Sequence, residues 1–121
     1  MAEITDPSEI TVTSKEGNTF EFRIPTVMDQ GKIGIKAKNL RKLTFPDSDG
    51  SEEGLDPETM HLFRALALFS VALVKSDAAW IWTTDKNGKP YFDPMTVPSK
   101  YFNTIMEVYL GYLEAQDSFR S

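Results

Sequence analysis

The stretch Ile10-Thr11-Val12-Thr13-Ser14-Lys15-Glu16-Gly17-Asn18-Thr19-Phe20-Glu21-Phe22-Arg23-Ile24-Pro25-Thr26-Val27-Met28-Asp29 decides the fold. Ile10, Val12 and Ser14 alternate with Thr11, Thr13 and Lys15. Beyond the Gly17-Asn18 turn, Phe20, Phe22 and Ile24 alternate with Glu21 and Arg23. Period-two spacing on both sides of a Gly-Asn turn predicts a β-hairpin over 9–25. Two strands alone are marginal in water, so the Phe20, Phe22 and Ile24 face requires cover from helices or a partner chain. Pro25 ends the second strand. Thr26 and Asp29 then form a capping box that opens a helix at Val27.

Working outward, residues 1–8 read as a loose leader. The segment 26–43 reads as a helix with Ile33, Ala37 and Leu40 on one face. Lys32 to Lys38 also alternates as a strand would, and Gly31 and Gly34 each weaken a helix by about 1 kcal/mol. The start signal at Thr26 decides for helix. Residues 44–56 are a polar loop punctuated by Gly and Pro. Asp56 caps the next helix, with Pro57 at its first position and Glu58 in its first turn. This helix, 57–75, is apolar nearly all round from Leu62 to Val74 and must be enclosed. In so small a chain, enclosure on every side points to neighbours from other subunits. Residues 76–97 are irregular and aromatic, with a short second hairpin between Ile81 and Tyr91 around Asn87-Gly88. Residues 98–118 form a last helix with the stripe Phe102, Ile105, Met106, Tyr109 and Leu113, widened by Tyr101, Val108 and Tyr112. The expected fold is a single α+β domain, mainly α: an N-terminal β-hairpin followed by about three helices around one core.

The chain of 121 residues is 40% hydrophobic and 26% charged, close to an ordinary globular protein. Its net charge of −5 opposes contact with phosphate backbones and anionic membranes. The absence of cysteine removes disulfides, thiolate nucleophiles and cysteine-ligated zinc. The N-terminal residues carry no secretory signal pattern. The apolar run from Leu62 to Val74 is shorter than the roughly 18 residues of a membrane span.

No motif for catalysis stands out. His61, the single histidine, reads as a helix-surface residue, without an elbow or oxyanion-loop motif for Ser70 or Ser76 to join. The loops around Gly50, Gly54 and Gly88 fail the calcium-loop pattern, because a first or last ligand place holds Phe45, Met60, Thr83 or Pro94. Gly31-Lys32-Ile33-Gly34 lacks the phosphate-loop spacing. No enzyme activity, cofactor or metal is expected.

Two groups suit contacts with macromolecules. Lys32, Lys36, Lys38, Arg41 and Lys42 form a basic cluster, followed at once by Asp47, Asp49, Glu52, Glu53, Asp56 and Glu58. Three readings stay open: a solvated face, opposite poles that meet between identical subunits, or a nucleic-acid patch. Trp80, Trp82, Tyr91 and Phe92 form an aromatic group, either a binding hot spot or a cap on the core. On apolar area, Phe20, Phe22, Trp80, Trp82, Tyr109 and Tyr112 are the candidate protein-contact residues.

The order of these features resembles the tail assembly chaperones of long-tailed, siphovirus-type phages, which are encoded just before the tape measure protein. The resemblance covers most of the chain and is strongest from Phe20 to Asp29. A basic helix, an acidic loop and an alanine-rich apolar helix follow. Asp93-Pro94 then leads to a final helix rich in Tyr and Leu, ending Asp117-Ser118-Phe119-Arg120. The resemblance implies a mainly helical homo-oligomer that coats the tape measure protein in the host cytoplasm and is absent from the finished virion. It also implies a longer form made by ribosomal frameshifting. The rival expectations are a tail or head-completion subunit retained in the particle, and a small nucleic-acid-binding regulator.

Overall fold

The computed structural model describes residues 2–6 and 9–120, with side chains for 9–117. The chain is α+β and mainly α. Strands β1 (Ala2–Asp6), β2 (Glu9–Thr13) and β3 (Thr19–Arg23) precede helices α1 (Val27–Thr44) and α2 (Pro57–Ala72). Strand β4 (Leu73–Ser76), the small strands β5 (Thr83–Thr84) and β6 (Pro90–Tyr91), and helix α3 (Phe102–Arg120) follow. One antiparallel sheet has the order β1-β2-β3-β4, and β5 pairs with β6.

The β2–β3 hairpin forms in the register its alternation demands: Ile10 lies opposite Phe22 and Val12 opposite Phe20. Gly17 takes a φ of +92°, a conformation glycine adopts without steric cost, and Ser14 and Asn18 close the turn by backbone hydrogen bonds. Ile10, Val12, Phe20 and Phe22 are all buried. Their cover comes from α2 and α3: the Phe22 ring lies 5.1 Å from Phe69 and 5.3 Å from Tyr112, both edge-on. The hairpin turn is tied to α3 by the Lys15 N–H, which donates to Glu107 at 2.9 Å.

Two strands were not expected. Residues 2–6, read as part of a loose leader, form β1 against β2, with Ala2 opposite Val12 and Asp6 opposite Glu9; residues 1, 7 and 8 lie outside the described residues. The chain from Leu73, read as the end of the apolar helix, leaves α2 at Ala72 and becomes β4 against the free edge of β3. Leu73 takes an extended conformation with its N–H on the Phe69 carbonyl. The Ser76 hydroxyl donates to the Thr19 carbonyl at 2.6 Å, and Asp77 accepts the Thr19 N–H at 2.9 Å. Strand pairing thus supplies backbone partners that outweigh another helical turn.

These strands alter the account of α2. Its apolar circumference was expected to need sister subunits. Instead the chain's own sheet, α1 and α3 enclose it, and Ala65 to Phe69 are all buried without a second copy. Phe69 sits among Phe20, Phe22 and Phe92 at ring distances of 6.0, 5.1 and 5.5 Å.

Helix α1 runs unbroken through Gly31 and Gly34, which settles the helix-or-strand ambiguity there. Its start is a full capping box. Asp29 donates its N–H to the Thr26 hydroxyl, and the Asp29 carboxylate accepts the Thr26 N–H at 3.1 Å. Arg23 grips the same carboxylate from β3 and donates to the Val71 carbonyl near the end of α2 at 2.8 Å. One arginine therefore joins the sheet to both helices.

The Thr26 N–H, with the Arg23 guanidinium, holds the Asp29 carboxyl below its ordinary value of 3.8 against the opposing pull of burial. A depressed acid stabilises the fold above its unfolded value, and that contribution disappears as pH falls through the folded value. Asp29→Asn is expected to lower the urea midpoint near neutral pH and to match the wild type in strong acid. Urea titrations across that range measure it, and an unchanged gap in acid would count against the linkage.

At Gly31 a Cβ meets nothing within 4 Å. Gly31→Ala should therefore raise stability by about 0.5–1 kcal/mol, read as a higher urea midpoint. A loss of stability would show that the open face of α1 cannot take a methyl group.

Candidate protein-interaction surface

The candidate contact residues divide sharply. Phe20, Phe22, Tyr109 and Tyr112 are buried, Phe20 and Phe22 fully so, and are not displayed to a partner. The reason is geometric: large aromatics at the inward positions of a hairpin and at the α3 seam fill the core when the sheet closes over them. The centre of the α3 stripe runs along Ile105, Val108, Tyr112 and Ala115, and burial pushes the Tyr109 phenol above its ordinary value.

The aromatic group of the irregular region also splits. Trp80 stacks face to face on Tyr101, with centroids 4.2 Å apart, and reaches Phe20 at 6.2 Å, so it caps the core. Trp82 is half-buried and donates its indole N–H to the Ser76 carbonyl at 3.1 Å. With Phe69, Tyr91 and Phe92 it lines an open groove of about 630 Å³ alongside β4. The second hairpin forms at β5 and β6, with Gly88 at φ +79° and Asp85 accepting the Asn87 and Lys89 N–H groups.

The charged groups meet within one chain. The Arg41 Nε donates to the Gly50 carbonyl at 2.6 Å. Glu52 forms a fork-to-fork pair with Arg64, at 2.7 and 2.6 Å, and lies 3.8 Å from Arg41. The Arg64 fork holds the Glu52 carboxyl low, and Glu52 in turn raises Arg64. Basic helix and acidic loop thus close on each other through Arg41, Gly50 and Glu52. Gly50 is required there: its φ is +83°, and a Cβ would stand 2.6 Å from Lys42 Cγ. Lys32, Lys38 and Lys42 remain exposed and Lys36 is half-buried, while Asp47, Asp49 and Glu53 are exposed. Asp49 accepts the Ser51 N–H, which holds that carboxyl below its ordinary value.

The two serine hydroxyls that follow His61 in sequence are committed elsewhere. Ser70 donates to the Leu66 carbonyl and Ser76 to the Thr19 carbonyl. Among the described residues, no three metal-ligating side chains converge and no helix is long and apolar enough to cross a membrane.

The surface that composition did not single out is the outer face of α1. Val27, Met28 and Ile35 are 91%, 73% and 63% exposed. Met28, Gly31 and Ile35, at i, i+3 and i+7, run down the side opposite the buried Ala37 and Leu40 and half-buried Ile33. Leu43 and Phe45 extend exposed apolar area at the end of the helix. The signal was present in the sequence as a second apolar set on the same helix.

Compared with family models, curated proteins and solved structures, the chain shows no significant match.

Proposed function

We propose that this protein is a non-catalytic tail assembly chaperone that self-associates and binds the tape measure protein while the phage tail is built. One observation supports the reading most: Val27, Met28 and Ile35 stand exposed on one helix whose opposite side has already completed a closed core. Displayed apolar area of this kind marks a contact surface when it is continuous. An open helix face with apolar anchors at helical spacing suits packing against a second amphipathic helix. Exposed Lys32, Lys38 and Lys42 on α1 would favour a helix that carries acids beside its apolar stripe. The resemblance in feature order supplies the identity of the client, and with it the host cytoplasm as the place of action and absence from the virion. A frameshifted longer form would present the same α1 face and join the same assembly.

Co-expression with the neighbouring tape measure protein tests the proposal. The expected result is a soluble complex in place of aggregated client, and no change in client solubility would contradict it. Mass spectrometry of purified virions separates this reading from a retained structural subunit, in which the chain would be found in the particle.

A further inference from the structure

Helices α1, α2 and α3 leave between them a cavity of about 290 Å³, walled by Ile33, Leu68 and Leu113 on the apolar side and by Arg41, Arg64 and Glu52 on the polar side. Arg41 is only 8% exposed, and within the fold its guanidinium has a single close acceptor. Its Nε is held by the Gly50 carbonyl, but the nearest carboxylate oxygen, on Glu52, lies 3.8 Å from a terminal nitrogen, beyond hydrogen-bond reach. Glu52 is already engaged by both donors of Arg64. One carboxylate thus faces two guanidinium groups, and the terminal N–H donors of Arg41 have no hydrogen-bond acceptor among the described residues. A nearly buried cation that shares its one carboxylate with a second arginine favours a further charged acceptor beside it.

We propose that this cavity binds a carboxylate carried on a short branched aliphatic stem, with Arg41 taking the carboxylate and Ile33, Leu68 and Leu113 taking the stem. A single negative charge balances the excess of one cation. A dianion such as phosphate would carry more negative charge than the one excess cation balances and would lie beside the Glu52 carboxylate. The volume sits at the small end of ligand pockets, which begin at about 300 Å³, so the ligand is a small free acid or the last residue of a peptide. The site stands apart from the exposed face of α1 and does not depend on the chaperone reading.

The test is an NMR titration of the full chain, following the Nε–H signals of Arg41 and Arg64 and the methyl groups of Ile33 and Leu68. The probes are 4-methylpentanoate, its neutral amide, N-acetyl-leucine and inorganic phosphate. Saturable shifts at these groups are expected with 4-methylpentanoate, and binding of the amide should be about tenfold weaker through loss of the charge-assisted hydrogen bonds. Tighter binding of N-acetyl-leucine would assign the site to a peptide end, and tighter binding of 4-methylpentanoate to a free acid. Glu52→Gln removes the competing charge and should tighten carboxylate binding several-fold. Arg41→Gln should abolish the preference for acid over amide. If Arg41→Gln does not fold, the Glu52→Gln result decides. Equal binding of acid and amide, equal binding of phosphate, or shifts that do not saturate would overturn the proposal.

Discussion

Phe69→Ala is expected to cost about 3–5 kcal/mol, a large share of the roughly 5–15 kcal/mol that holds a domain of this size together. The ring is 1% exposed and is the point where hairpin, α2 and the aromatic region meet, against Phe20, Phe22 and Phe92. Its removal leaves a cavity against Phe20 and Phe22, which strand pairing holds in place, so little collapse can fill it. The urea midpoint of the variant, compared at equal slope, reads the effect. A loss below about 1 kcal/mol, the ordinary cost of a point substitution, would mean that this cluster is not the centre of the core.

The second large effect is on function. Met28→Glu combined with Ile35→Glu should leave the urea midpoint within about 0.5 kcal/mol per substitution of the wild type, because both side chains are exposed and touch no part of the core. A glutamate near the start of α1 even complements the helix dipole. The same variant should lose the solubilisation of the tape measure protein on co-expression, since two charges would have to be desolvated against an apolar helix. Retained rescue would remove the outer face of α1 from the contact. Phe69→Ala and this double variant therefore form a pair, one with stability lost and the other with stability kept.

Local chemistry carried the parts of the fold that local chemistry determines. Alternation around Gly17-Asn18 placed the hairpin, and Thr26 with Asp29, and Asp56 with Pro57, placed two helix starts where they occur. Strand β4 was hidden because Leu73 and Val74 continue an apolar run that also suits a helix; only the free edge of β3, more than 50 residues away, makes an extended conformation favourable there. Strand β1 was hidden for a similar reason, since its pairing with β2 is a tertiary choice. An all-round apolar helix in so small a chain reads as needing sister copies, and β1 and β4 are part of what encloses it within one chain instead.

The proposed contact surface was less legible than the fold. Large apolar area selects Phe20, Phe22 and Tyr112, but the same property makes these the best fillers of the interior, and area alone does not distinguish inside from outside. What distinguishes them is facing. Ile33, Ala37 and Leu40 take the inner side of α1, so Met28 and Ile35 must take the outer side. The charge cluster was legible as a cluster but not as a contact. The turn at Gly50 that brings Glu52 between Arg41 and Arg64 depends on backbone geometry that composition does not reveal.

Sedimentation velocity over a range of protein concentrations, with wild type and Ile35→Glu side by side, bears most directly on the claim that α1 offers its outer face to other chains. The wild type should form species heavier than the 13.7 kDa chain as concentration rises, and the variant should remain at that mass. A wild type that stays at one chain's mass at every concentration, as the variant does, would contradict it.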